Sequence, residues 1–119
     1  MHYRIDATFA RCKQEGKTAF ITFIPCGYKE KADTIPILLA CQAGGADIIE
    51  VQQLSTHLRK HISLPLALGF GLSSKAHVQA AGKLVDGAVI GSKIVNVIDE
   101  APRDQRAQKV KDFCLSITQ

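Results

Sequence analysis

Residues 64–74 read Leu64-Pro65-Leu66-Ala67-Leu68-Gly69-Phe70-Gly71-Leu72-Ser73-Ser74, an apolar run followed by two glycines and two serines. The pattern predicts a buried strand, a tight turn and the start of a helix. Glycine in the turn lets the backbone approach a ligand closely, and serine accepts hydrogen bonds from the free N–H groups of a helix start. Those N–H groups and the helix dipole favour anions. The stretch therefore predicts an anion site.

A second strand-to-helix junction repeats this pattern at Gly87-Ala88-Val89-Ile90-Gly91-Ser92-Lys93. Two such turns side by side would form one phosphate cradle, to which His77 and Lys93 could add positive charge. The alternative is that the glycines only permit tight turns and close helix packing. A nucleotide-binding G-x-G-x-x-G motif is disfavoured, because Ser74 stands where its third glycine would be.

The rest of the chain alternates apolar runs with amphipathic segments. A short helix from Ile5 is expected to end near Gly16, as a lid over one end of the core. Almost wholly apolar strands are typical of parallel sheets covered by helices, so the fold class is α/β. Strands are predicted at 18–24, 46–51, 64–68 and 88–90. Later helices are predicted at 31–43, 52–62 and 74–82, at 94–98, where the helix should be largely buried, and after Pro102.

Composition excludes several classes of protein. The chain has 119 residues, 46% hydrophobic content and a net charge of +4, and no apolar run approaches the ~20 residues of a membrane span. We expect one globular domain, cytoplasmic and without a membrane or nucleic-acid partner. The cysteines have no C-x-x-C spacing and are expected to be free thiols. They are Cys12, Cys26, Cys41 and Cys114.

Four segments, in order, carry a resemblance to a known family. They are Ala19-Phe20-Ile21-Thr22-Phe23, Gly45-Ala46-Asp47-Ile48-Ile49-Glu50, Gly69-Phe70-Gly71-Leu72-Ser73-Ser74 and Gly87-Ala88-Val89-Ile90-Gly91-Ser92-Lys93-Ile94-Val95. The chain resembles the tryptophan synthase α subunit, most closely the form fused to the β activity. The resemblance implies part of a (β/α)8 barrel that cleaves indole-3-glycerol phosphate to indole and glyceraldehyde 3-phosphate, with no cofactor or metal.

The resemblance also implies an internal truncation. A complete barrel needs about 250 residues, and this chain has 119. Residues 1–51 resemble the first two β-α units of the family and 52–119 the last two, so 1–119 is expected to be a single half-barrel domain. A splice form, a gene deletion or an engineered deletion would each produce a sequence of this kind.

The chain has some of the site residues that the resemblance implies and lacks others. Glu50 matches the catalytic glutamate, but Val51-Gln52-Gln53 follow it where the family has an aspartate-bearing loop. Carbon–carbon cleavage needs two proton-transfer groups, so we expect an inactive lyase. Phe23 matches a residue that lines the substrate; its alternative role is in the core. The implied phosphate-binding residues are Gly69, Phe70, Gly71, Gly91 and Ser92.

Four parallel strands leave two bare edges, and eight strands fill a small barrel. We therefore expect a homodimer or higher homo-oligomer that binds phosphate or a phosphorylated small molecule. Two alternatives are a residual lyase, with Asp47 or a carboxylate of a second copy replacing the lost aspartate, and a regulatory module that binds synthase subunits, including β. His57 and His61 lack a third metal ligand, and Cys26 has no histidine partner apparent in the sequence.

Overall fold

The computed structural model describes residues 3–53, 56–69 and 71–119. Its helices are α1 Tyr3–Gln14, α2 Thr34–Ala43, α3 Thr56–His61, α4 Lys75–Ala81, α5 Ser92–Glu100 and α6 Arg106–Thr118. Its strands are β1 Ile21–Ile24, β2 Ile48–Val51, β3 Leu66–Leu68 and β4 Gly87–Ala88. Short 3-10 turns, Lys31–Asp33 and Arg103–Gln105, precede α2 and α6.

The described strands form one parallel sheet in the order β1-β2-β3-β4. Phe23 lies opposite Glu50, Glu50 opposite Ala67, and Ala67 opposite Gly87. Because β-α-β crossovers put each helix on a face of the sheet, sequential parallel strands produce a layer of helices over a layer of strands. The α/β class and the four parallel strands with flanking helices are thus confirmed.

The core lies between the sheet and helices α2 to α4. Ile49 and Val51 of β2 point toward the helices, where Leu38 of α2, Leu58 of α3 and Ala81 of α4 pack against them. Alternate residues of a strand point to opposite faces. The other face of β2 therefore carries Ile48 and Glu50.

Helix α1 crosses the amino ends of the strands, as expected for the segment that ends near Gly16. It is held there by Asp47, which precedes β2. One oxygen of the Asp47 carboxylate accepts from Phe20 N at 2.9 Å, and the other from Arg11 Nη2 at 3.0 Å and Lys17 Nζ at 3.1 Å. The hydrogen bond from Phe20 N, and then those from Lys17 and Arg11, hold the pKa of Asp47 well below its usual range.

Asp86, which precedes β4, makes a matching set of contacts. Its Oδ2 accepts from Leu66 N at 3.0 Å and pairs with Arg4 Nη1 of α1 at 3.1 Å and with Arg59 Nη2 of α3 at 3.3 Å. Arg4 also donates to the carbonyl oxygen of Ser63. Two aspartates at the amino ends of alternate strands therefore clamp α1 to the sheet.

Three expectations about individual elements need correction. The strands are shorter than predicted, because backbone pairing starts only where a neighbour runs alongside; β1 spans Ile21–Ile24 rather than 18–24. The helix predicted at 52–62 is not formed at Gln52 and Gln53, and its described part is Thr56–His61; residues 54 and 55 lie outside the described residues. Helix α5 was expected to be largely buried, but none of its residues is buried, and Val95 is 55% exposed.

The face of the sheet opposite the helices is bare at β1. Ile21 is 46% and Phe23 52% exposed, whereas Ile24, on the other face, packs against the core. The molecule is a slab of 46 × 38 × 23 Å with a radius of gyration of 16.0 Å, against about 13.5 Å for a compact domain of this length. In the described parts, no helix has the length and apolar character to cross a membrane.

Candidate phosphate site

A cleft of about 350 Å³ opens where β3 and β4 end and α5 begins. Four of the predicted phosphate-binding residues line it, namely Gly69, Gly71, Gly91 and Ser92. Phe70, the fifth, lies outside the described residues. The other lining residues are Leu72, Ser73, Val89, Lys93 and Asn96. The two glycine turns do lie side by side, as the sequence predicts.

The turn after β3 is fixed by capping of α4. Ser74 adopts an extended conformation, and its Oγ accepts from His77 N at 3.2 Å, as an N-cap serine should. The Ser73 backbone N–H donates to Nδ1 of His77 at 3.3 Å. Gly71 has a φ of 74°, a conformation that glycine adopts without strain. These contacts hold the serines at the helix start; His77 is bound into the cap and does not line the cleft.

The start of α5 supplies the donors. Its N-cap is Gly91, which has no side chain to occupy the free N–H groups. The N–H groups of Ser92 and Lys93, the first two helical residues, have no acceptor one turn earlier in the helix. The positive end of the α5 dipole and the half-buried Lys93 side chain lie at the same place. This wall of the cleft suits a phosphate oxygen.

Asn96 was missed by the sequence analysis. It lies four residues after Ser92, so both side chains fall on one face of α5 and line the cleft together. The i, i+4 spacing from a predicted helix start was the available signal. An amide at this position offers a further hydrogen-bond donor for an anion.

Glu50 and Phe23 lie on adjacent strands, directly opposite each other, on the face of the sheet away from α2 to α4. The Glu50 side chain crosses toward β3 and lies over Gly69: a Cβ built there would be 2.8 Å from Glu50 Cδ and 3.0 Å from Cγ. Gly69 therefore has two roles: it lines the cleft, and its lack of a side chain leaves room for Glu50.

Replacing Gly69 with alanine is expected to push Glu50 out of its rotamer and lower the free energy of unfolding by about 1 kcal/mol. In a Glu50→Ala background the same change should be neutral or stabilising, because the clash is gone and the unfolded chain loses entropy. Chemical denaturation of the two single variants and the double variant measures this coupling.

Gly91→Ala is the matched control, because a Cβ at Gly91 meets no atom within 4 Å. Its effect should be the same with glutamate or alanine at position 50. Equal costs of Gly69→Ala in both backgrounds would contradict the packing described for Glu50.

Asp47 is not placed to act with Glu50 as the second carboxylate that one form of the residual-lyase hypothesis requires. It lies at the amino end of β2, three residues before Glu50, or about 10 Å along an extended strand. Its carboxylate is occupied by Phe20 N, Arg11 and Lys17. That form of the residual-lyase hypothesis is not supported.

Cys26 does have a histidine nearby, which the sequence did not reveal. A separate cleft of about 270 Å³ is lined by Cys26, Lys31 and His57, among others. The Cys26 thiol donates to Gln53 O at 3.4 Å. The rings of His57 and His61 pack edge to face, with centroids 4.8 Å apart. Across the described residues, no cluster of three or more His, Cys, Asp or Glu side chains could hold a metal.

Sequence comparison identifies related proteins. A family model described as tryptophan synthase alpha chain matches residues 9–55 and 50–118. The tryptophan synthase alpha chain of Polaromonas sp. strain JS666 is 39% identical over 75 residues, which make up 63% of this chain and 28% of that protein. That of Roseiflexus sp. strain RS-1 is 43% identical over 60 residues, or 50% of this chain and 23% of the relative. Each aligned stretch thus spans less than a third of the relative.

Comparison with solved structures supports the fold. A mutant tryptophan synthase alpha-subunit from Pyrococcus furiosus superposes with a TM-score of 0.61 at 16% identity, covering 93% of this chain and 49% of that one. A protein from Aquifex aeolicus VF5 gives a TM-score of 0.54 at 21% identity, with 97% and 44% covered. At these identities the likeness concerns the fold alone.

Proposed function

The chain belongs to the tryptophan synthase alpha chain family, and we propose that it is an internally shortened member. It would bind a small ligand through the ligand's phosphate group but lack the family's carbon–carbon cleavage activity. The observation that carries the proposal is the cleft at the start of α5. There two glycine turns and the first turn of α5, with the N–H groups of Ser92 and Lys93, meet around one space that Lys93 also lines. That arrangement is complementary to a phosphate group.

The proposed shortening lies between β2 and α3. The two matches to the family model meet and overlap at residues 50–55, which is where a joint between distant parts of the family barrel would fall. Residues 1–51 would then supply the first two β-α units and 52–119 the last two, in one half-barrel domain. The helix layer supports this division, because α3 packs Leu58 into the same core as Leu38 of α2.

The proposed loss of lyase activity follows from the groups around Glu50. Cleavage needs a second proton-transfer group and a site that excludes water. The chain continues from Glu50 as Val51-Gln52-Gln53, without a carboxylate, and Phe23 beside it is 52% exposed. A single carboxylate beside an exposed side chain can neither supply both protons nor exclude water.

The proposed partner is a second copy of the chain. Half of a barrel leaves apolar side chains bare, and the radius of gyration of 16.0 Å shows how far the slab departs from a compact domain. Family membership also makes a tryptophan synthase β subunit a candidate partner, but no described surface favours it over a second copy. A cytoplasmic location is part of this proposal.

Ser92→Asp is expected to weaken the binding of glycerol 3-phosphate at least tenfold, measured by isothermal titration calorimetry. The new carboxylate would repel the phosphate, while an acidic residue in the first turn of α5 favours the helix. Ser92→Asn, similar in size but neutral, should bind within threefold of the original chain.

The same preparations are then assayed for indole release from indole-3-glycerol phosphate, which should stay at background in the original chain and in Glu50→Gln. Absence of glycerol 3-phosphate binding by the original chain, or equal affinity in Ser92→Asp, would contradict the binding proposal. Indole release that depends on Glu50 would contradict the proposed inactivity.

A further inference from the structure

The phosphate cleft lacks a wall. All of its lining residues come from the segments that follow β3 and β4 and from α5. Within the described sheet β4 is an edge strand with a single neighbour, β3. The side of the cleft beyond Val89 and Gly91 is therefore open, and the position beside β4 is vacant.

At the opposite edge of the described sheet, β1 also lacks a second neighbouring strand. Strand β1 pairs only with β2 in the described sheet, and the face of β1 away from the helices is exposed: Ile21 is 46% and Phe23 52% exposed, and Phe20, just before the strand, is 56% exposed. Helix α5, which follows the edge strand β4, has no buried residue. Its Val95 and Ile98, three residues apart and so on one face of the helix, are 55% and 38% exposed.

The bare apolar side chains would supply more than half of the area that a stable dimer of this chain needs. The exposed parts of Phe20, Ile21 and Phe23 at one edge, with those of Val89, Val95 and Ile98 at the other, amount to about 500 Å² of apolar surface per copy, at ~150–250 Å² for a whole aromatic side chain. A standard interface buries about 800 Å² per partner, and the two strand edges add backbone surface. In a two-fold dimer both junctions form together, each joining β4 of one copy to β1 of the other.

This pairing brings a specific loop to the open side of the cleft. The carboxyl ends of all strands in a closed parallel barrel lie at one mouth, and neighbouring strands are about 4.8 Å apart. The loop after β1 of the second copy, residues 25–30, would therefore emerge beside the turn at Val89–Ser92. Its exposed tip carries Tyr28 and Lys29.

Lys29 is held in an unusual way. Its φ is 67°, the one positive value at a non-glycine residue in the described chain, and such conformations cost ~1–3 kcal/mol and cluster at ligand sites. Its Nζ lies 5.6 Å from the centroid of the Tyr28 ring, a cation–π contact. The loop thus presents an exposed cation without burying it in the core of its own copy.

We infer that Lys29 of a second copy completes the phosphate cleft, so that each site is built from β3, β4 and α5 of one chain and the β1 loop of the other. The inference rests on the proposed function. A dimer has two such sites, and each pairs the Lys93 ammonium of one copy with the Lys29 ammonium of the other. A phosphate dianion would then be held between two cations and the start of α5.

A trans-complementation experiment tests the inference. Lys29→Glu should weaken glycerol 3-phosphate binding at least tenfold, and Lys29→Arg, the matched control, should bind within threefold. Chains bearing Ser92→Asp and Lys29→Glu are then co-expressed with different affinity tags, and the heterodimer is purified through both. One of its two sites carries both substitutions and the other carries neither. Titration should find one site of original affinity per heterodimer, against two in the original dimer.

The outcomes separate this inference from the proposed function. If the original chain binds glycerol 3-phosphate but the heterodimer has no tight site, or if Lys29→Glu binds like the original, the shared site is wrong and the phosphate proposal stands. The same conclusion would follow if light scattering found the chain monomeric at micromolar concentration while it still bound glycerol 3-phosphate. Failure of the original chain to bind at all would instead remove the proposed function.

Discussion

Asp86→Ala is expected to lower the free energy of unfolding by about 3 kcal/mol. The side chain of Asp86 is 9% exposed and accepts from Leu66 N while pairing with Arg4 and Arg59. Removing one partner of a buried ion pair leaves the others uncompensated, which costs ~3–5 kcal/mol. We expect the lower end of that range because Arg4 and Arg59 are partly exposed.

Chemical denaturation at neutral pH measures this change. One fixed protein concentration is used, because the stability of a chain that self-associates, as proposed above, would depend on concentration. Asp99→Ala is the matched control: it removes an exposed aspartate of α5 and should change the stability by less than ~0.5 kcal/mol. A loss for Asp86→Ala no larger than for Asp99→Ala would show that the clamp between α1, α3 and the sheet contributes nothing.

Acid is expected to destabilise the chain through Asp47. The hydrogen bonds from Phe20 N, Lys17 and Arg11 hold the folded-state pKa of Asp47 well below its usual range, whereas an unfolded aspartate titrates near ~3.9. A lowered pKa means that the folded state binds protons less readily than the unfolded state. The contribution of Asp47 is therefore fully present above about pH 4 and falls as the pH drops below that value.

Asp47→Asn should thus be less stable than the original chain at pH 7, and the difference in their free energies of unfolding should narrow steadily from about pH 4 to pH 2. Urea denaturation of both chains at a series of pH values, again at fixed concentration, measures this difference. Asp99→Asn, at an exposed site, should show a difference from the original chain that barely changes with pH. A gap for Asp47→Asn that is constant over the same range would contradict the role assigned to its carboxylate.

Local sequence patterns predicted the elements around the site with most success. Ser74 is the N-cap of α4, and Gly69 and Gly91 line one cleft, because turn chemistry depends on a few adjacent residues. Prediction failed where an outcome depends on distant segments. The apolar stripe of α5 indicated burial, yet Val95 is exposed, because the burial of a helix face depends on which other elements pack against it.

The amino-acid sequence alone determined the order of the β-α units and the glycine turns, since hydrophobic periodicity and backbone freedom are local properties. Only the tertiary structure decided where chemically similar groups lie. It put Asp47 at the amino edge, bound to α1, and Glu50 at the other end of the same strand, against Gly69. It also left β1 and α5 bare at opposite edges, because exposure depends on which elements become neighbours when the sheet assembles.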